Sequence, residues 1–140
     1  MVKNNFFESY ISIGSNIGHS IKFIKRTIYF LHKNHYIFIK NYSNVHKTHP
    51  VHYRIQPIFY NFIIRIFTLL SPFQLINMLQ YLEKKYYKKK YLCSYMPRKI
   101  DLDILIYNKY YITNKKLFLP HQYMFKRKFI KILINEVIEK

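Results

Sequence analysis

The run Ile100-Asp101-Leu102-Asp103-Ile104 alternates apolar and acidic residues without a break, which specifies a strand and assigns its two faces. Side chains at i and i+2 leave a β-strand on the same side, so both carboxylates point one way, about 6–7 Å apart at Cα. They are the only aspartates in the chain, where 6 acids stand against 24 Lys and Arg for a formal net charge of +18. Two acids converging on one spot call for a cation, and Mg²⁺ is the cation that works between carboxylates and phosphates. A metal–nucleotide site is therefore one reading. The other is an ordinary half-exposed strand in which Ile100, Leu102, Ile104 and Ile106 face the core and the aspartates meet water.

At 140 residues, half of them hydrophobic, the chain is expected to form a single domain, residues 1–140, with a real core. The lone Cys93 cannot make an internal disulfide, which fits a reducing cytoplasm. The most lipid-like run, 58–70, is too short to span a bilayer and carries Asn61 and Arg65. The positive charge welcomes anionic ligands in general. It does not choose among them, because a chain rich in Lys, Ile, Asn, Tyr and Phe and poor in Gly also follows from A/T-rich coding.

Tyr10-Ile11-Ser12-Ile13 reads as a short strand ending at Gly14, one of only two glycines. Gly14 and Gly18 are expected where a side chain cannot go, by positive φ or by close backbone approach. Ile21, Ile24, Ile28 and Leu31 have helical spacing. Residues 36–42 return as a strand, 43–57 as loop, and 58–70 as a long strand. Ser71-Pro72 starts a helix with an N-cap and a first-turn proline, carrying Leu75, Leu79, Leu82 and Tyr86 as its apolar stripe. Residues 84–97 read as a basic, tyrosine-rich loop. The aspartate strand follows, then a short extended piece near 110–112, the Pro120-His121 loop and a final helix from about 126 to 139. The order is β-α-β-β-α-β with a short C-terminal strand and helix addition, an α+β, ferredoxin-like split β-α-β sandwich.

Phosphate chemistry needs cations as well as metal ligands. Arg98, Lys88 to Lys90, and the cluster His121, Lys126, Arg127 supply them. Gln80 and Glu83 share a helix face at i and i+3, near the edge of the apolar stripe, as a nucleotide contact or as a surface polar pair. Asn61 is the odd residue in an apolar, aromatic-flanked strand: an amide able to read a flat heterocycle, or one bonded to a neighbouring loop. His46, His49 and His52 recur every three residues but lack a cysteine partner and do not read as a zinc site.

Together these blocks resemble the 6-hydroxymethyl-7,8-dihydropterin pyrophosphokinase family of folate biosynthesis. The likeness is carried by Tyr10 to Gly18, by Thr48-His-Pro50 leading to Phe59-Tyr-Asn61, and by Leu79-Gln80-Tyr-Leu-Glu83. Its most specific block is Pro97-Arg-Lys-Ile-Asp-Leu-Asp-Ile-Leu-Ile-Tyr107 with Leu119-Pro-His121 and Arg127-Lys-Phe129 downstream. The resemblance implies the ferredoxin-like fold and diphosphate transfer from ATP to the pterin hydroxymethyl group, releasing AMP. It implies two Mg²⁺ ions on Asp101 and Asp103, with Arg98 and His121 joining them in catalysis. ATP would be held by Gln80, Glu83, Lys90, Arg98, Ile104, Lys116, His121 and Arg127, and the pterin by Thr48, Val51, Phe59, Asn61, Tyr95 and Phe129.

Some positions depart from the family pattern. Lys90 stands where Arg is common and gives a point charge in place of a bidentate fork. Tyr95 stands where some members have Trp, Gln122 follows His121, Phe59 lacks a tyrosine hydroxyl, and the C-terminal cap is expected to be reduced. The family implies a cytoplasmic monomer that meets neither membrane nor nucleic acid. The competing readings are a basic, aromatic RNA-binding module of the same fold and an inactive relative of the enzyme.

Overall fold

The computed structural model describes residues 6–49, 58–87 and 99–138. Its elements run β1 (Phe7–Ser15), α1 (Ser20–Lys33), β2 (Ile37–Tyr42), β3 (His46–Thr48), β4 (Phe59–Thr68), α2 (Pro72–Tyr87) and β5 (Asp101–Tyr107). A hairpin of β6 (Ile112–Thr113) and β7 (Phe118–Leu119), the single turn α3 (Tyr123–Lys126) and α4 (Lys128–Ile138) complete them. The main sheet has the order β2-β4-β1-β5, with β3 also on β4, and neighbouring strands are antiparallel. This is the split β-α-β sandwich expected, with the hairpin and two helices appended. Among the described residues, no helix is long and apolar enough to cross a membrane.

Strand periodicity divides the apolar residues between two cores. Ile11 and Ile13 of β1, Phe62, Ile64 and Ile66 of β4, and Leu102 and Ile104 of β5 face α1 and α2. Tyr10, Ile63 and Leu105 face the other way and are covered by Ile130, Leu133, Ile134 and Val137 of α4. The asymmetry of β5 comes from a bulge: Ile11 pairs with Ile104 and Tyr10 with Ile106, leaving Leu105 between them. Side-chain parity slips there. Ile106, expected on the same side as Leu102 and Ile104, packs instead with the α4 core, and Tyr107 takes its place.

α1 buries Ser20, Ile24, Thr27 and Leu31. Ile21, expected in that stripe, is 41% exposed. α2 begins as its sequence dictates: the Gln74 N–H donates to Ser71 Oγ at 3.2 Å and the Ser71 N–H to Gln74 Oε1 at 2.9 Å, a reciprocal capping box. The helix runs on through 84–87, where a loop was expected. β3 likewise lies inside the expected loop 43–57. The outer edge of β4 at 59–61 has backbone groups that need partners, and β3 supplies them. Between β2 and β3, Ser43 bridges to Ile63 through both its backbone N–H and its hydroxyl.

Candidate active site on the β5 edge

Ladder pairing lays out the site. Asp101 stands opposite Gly14, Gly14 opposite Asn61, and Asn61 opposite His46, so one row crosses four strands on one face. Asp103 stands opposite Ser12 in the next row on that face. At 4.7–4.9 Å per strand, the Asp101 and Asn61 backbones are about 10 Å apart. Gly14 lies between them. A Cβ there would meet Asn61 Oδ1 at 3.7 Å and Phe59 Cδ1 at 3.9 Å, ordinary contacts, and Gly14 has no positive φ. The expectation that both glycines are conformationally obligatory therefore holds for Gly18, at φ 68°, and fails for Gly14. What the bare Gly14 does is leave the floor between carboxylate and amide flat.

Asn61 is 5% exposed. Its Nδ2 donates to Thr48 Oγ1 at 2.8 Å and to the His46 carbonyl at 3.2 Å, which turns Oδ1 toward Gly14. The amide is thus bonded to a neighbouring segment and also presents an oriented acceptor over the floor. Phe129, at the start of α4, stacks on His46 with centroids 5.6 Å apart and an interplanar angle of 15°. Thr48, Phe59, Asn61 and Phe129 are therefore gathered at one end of the row.

At the other end, a cleft of about 250 Å³ opens along the outer edge of β5. Gln80, Glu83, Asp103, Ile104, Lys116 and His121 all line it. Glu83 is not a surface residue: it is 2% exposed, and its Oε2 accepts the Leu102 N–H at 2.9 Å. That bond fixes the peptide between the two aspartates. Sequence spacing could not reveal it, since the donor belongs to the backbone.

The His121 N–H donates to the Leu105 carbonyl at 2.8 Å, which docks the segment after β7 against β5. Its Nδ1 accepts the Tyr123 N–H at 3.1 Å, and Nε2 lies 3.8 Å from Asp103 Oδ1. A ring that accepts at Nδ1 carries its proton on Nε2 when neutral. Burial pushes the His121 pKa below its usual 6.5, Arg127 pushes the same way, and Asp101 opposes them. The neutral imidazole thus turns an N–H toward the carboxylate pair. Arg127 packs its guanidinium over the Tyr123 ring, 3.7 Å from the centroid. Tyr123 is the site neighbour that sequence reasoning missed; the only signal was an aromatic residue between His121 and Arg127.

A family model described as 7,8-dihydro-6-hydroxymethylpterin-pyrophosphokinase matches residues 10–139. The chain belongs to this pyrophosphokinase family. It is 31% identical over 132 residues to the 2-amino-4-hydroxy-6-hydroxymethyldihydropteridine pyrophosphokinase of Bacillus subtilis, covering 94% of this chain and 78% of that one. It is 37% identical over 125 residues to a folate synthesis bifunctional protein of Arabidopsis thaliana, covering 89% of this chain but only 26% of the relative. With a bifunctional protein of Lactococcus lactis the identity is 32%, over 94% of this chain and 38% of the relative. The chain thus spans most of the Bacillus enzyme and a minor part of the bifunctional relatives.

Among the positions matched to the pyrophosphokinase family, the fold brings together Gln80, Glu83, Asp101, Asp103, Ile104, Lys116, His121 and Arg127 around the β5 edge. Thr48, Phe59, Asn61 and Phe129 gather across Gly14. Val51, Lys90, Tyr95 and Arg98 lie outside the described residues, as does His52, whereas Gln122 lies within them, just before α3. Among the described residues, no three His, Cys, Asp or Glu side chains group as metal ligands. Two carboxylates nevertheless fit the ion the family requires. Mg²⁺ takes hard oxygen donors, commonly one or two protein carboxylates, and leaves its other positions to phosphate and water.

Proposed function

We propose that this protein transfers diphosphate from ATP to 6-hydroxymethyl-7,8-dihydropterin and releases AMP, a step of folate synthesis. The observation that supports this most directly is that one carboxylate pair has a cleft on one side and an oriented amide with aromatic neighbours on the other. The β5-edge cleft, with Lys116 and His121, suits a nucleotide. The Asn61 end of the row, with bare Gly14 beside the amide and Phe59 and Phe129 nearby, suits a flat heterocycle.

In the reaction, the pterin hydroxyl oxygen bonds to the β-phosphorus of ATP and its proton is released to solvent. The bond from that phosphorus to the α,β-bridging oxygen breaks, and the leaving AMP carries that oxygen away. Asn61 Oδ1 orients the ring edge so that the hydroxymethyl group faces the aspartate end of the row. The neutral His121 donates from Nε2 toward phosphate oxygens, and Arg127 with Lys116 offsets their charge. Arg98 and Lys90 are assigned to the same triphosphate, and Val51 and Tyr95 to the pterin, by family position. Mg²⁺, two ions with ATP, would be held by Asp101 and Asp103 and would neutralise charge developing on the phosphates.

We assign residues 1–140 to one catalytic unit, acting as a cytoplasmic monomer. The RNA-binding alternative requires an open sheet face on which bases stack, and α4 covers much of that face. Purified protein with Mg²⁺, ATP and the pterin should release AMP. Asp101→Asn or Asp103→Asn should lower the rate by about 10²–10³-fold, as expected when one electrostatic stabiliser is removed, with the circular dichroism spectrum unchanged. A folded wild-type protein that forms no AMP would refute the assignment.

A further inference from the structure

Two groups assigned to the nucleotide, His121 and Arg127, stand before and after the single turn α3, and both pack on one side chain. The Tyr123 ring lies 4.2 Å from the His121 ring, tilted by 44°, and 3.7 Å from the Arg127 guanidinium carbon. The Tyr123 N–H also donates to His121 Nδ1 at 3.1 Å. A first-turn N–H of a helix has no intrahelical acceptor, so the imidazole satisfies it and is held in return.

Tyr123 and Arg127 are four residues apart across α3, where the Arg127 N–H donates to the Tyr123 carbonyl at 3.1 Å. The i,i+4 spacing sets the guanidinium over the ring. Arg127 needs such a hold. It is flanked by Lys126 and Lys128, whose charges repel it, and a free arginine side chain surrenders much rotamer freedom when it is ordered. The negative face of an aromatic ring attracts the cation and offsets both effects before any ligand arrives.

We infer that Tyr123 is a positioning residue: its ring is the platform that holds the His121 imidazole and the Arg127 guanidinium toward the nucleotide side of the carboxylate pair. The inference rests on the reading of those two groups as facing the triphosphate. Tyr123 itself need not touch a ligand.

The test uses the full chain and calorimetric titration with Mg²⁺ and a non-hydrolysable ATP analogue. Tyr123→Met keeps bulk and apolar character but removes the ring, and Tyr123→Phe keeps the ring. Met should weaken analogue binding about tenfold, consistent with one partly desolvated cation–π contact. Phe should stay within twofold of wild type, and pterin affinity should be unchanged in both. Equal analogue affinity in the Met variant and wild type would overturn the inference, as would an equal loss in Met and Phe.

A second measurement needs no variant. In the wild-type protein, nuclear Overhauser contacts should link the Tyr123 ring protons to both His121 and Arg127 side chains, and their absence would also overturn it. Wild-type protein that shows these contacts but binds no analogue would sink the nucleotide reading, leaving the platform as a structural feature without this role.

Discussion

One amide serves two purposes in Asn61. Its nitrogen ties β3 to β4 through Thr48 and His46, and its oxygen is left oriented over Gly14. A site built to hydrogen-bond a ligand discriminates strongly because its polar groups are otherwise left unpaired. Asn61→Ala should therefore weaken pterin binding by about 10–100-fold, on the order of 1–3 kcal/mol for a lost buried hydrogen bond, with ATP-analogue affinity nearly unchanged. Separate titrations of the two ligands check this, and an equal loss for both would show that the change had spread along the row. His121 carries the other residue-scale prediction. Its folded-state pKa is lowered from 6.5, mainly by burial, so the unfolded chain takes up that proton first as pH falls. The stability contributed by the neutral ring is complete above 6.5 and is lost as pH drops toward the folded-state value. An NMR titration of the His121 ring should find its midpoint below 6.5.

Elements differ in how openly they declare themselves. β5 was legible because Asp101, Leu102, Asp103 and Ile104 alternate strictly, and the start of α2 because Ser71, Pro72 and Gln74 form a local signature. Ser71→Ala removes the cap that the Gln74 N–H uses and should lower stability by about 1 kcal/mol, within the 0.5–2 kcal/mol range of such caps. Chemical denaturation checks it; no shift in midpoint would mean that tertiary packing alone holds that turn. The bulge at Leu105 and the strand His46–Thr48 were not legible. A bulge between two apolar residues leaves the composition of the run unchanged, and β3 is a short polar segment that becomes a strand only because β4 has an open edge beside it. The depth of Glu83 was hidden for a related reason: its partner is the Leu102 backbone, 19 residues away. The carboxylate pair and the Pro-His block were thus readable from residue types, whereas the contacts that orient them depend on tertiary neighbours.

Across the whole molecule, charge is placed unevenly. Among the described residues no carboxylate is exposed: Glu83 is buried and Glu8, Asp101, Asp103 and Glu136 are half-buried, whereas exposed lysines occur on α1, β2, α2 and α4. With a net charge of +18, the surface repels itself and attracts phosphates, and salt screens both effects over a Debye length of about 10 Å at 0.1 M. The two consequences have opposite signs. Raising ionic strength from 0.02 to about 0.3 M, which shrinks that length severalfold, should increase the thermal midpoint by relieving self-repulsion. The same change should weaken binding of the anionic nucleotide while leaving the uncharged pterin almost unaffected. Parallel melting curves and titrations of each ligand across that series check the argument. If pterin and nucleotide weaken together, the cause is a salt-dependent change in the protein, and the cationic field does not select the nucleotide. If only the nucleotide weakens while the midpoint rises, the excess of lysine and arginine acts as a long-range guide to the β5 edge, where Glu83 and Asp103 line the cleft and Asp101 stands beside it on the same strand.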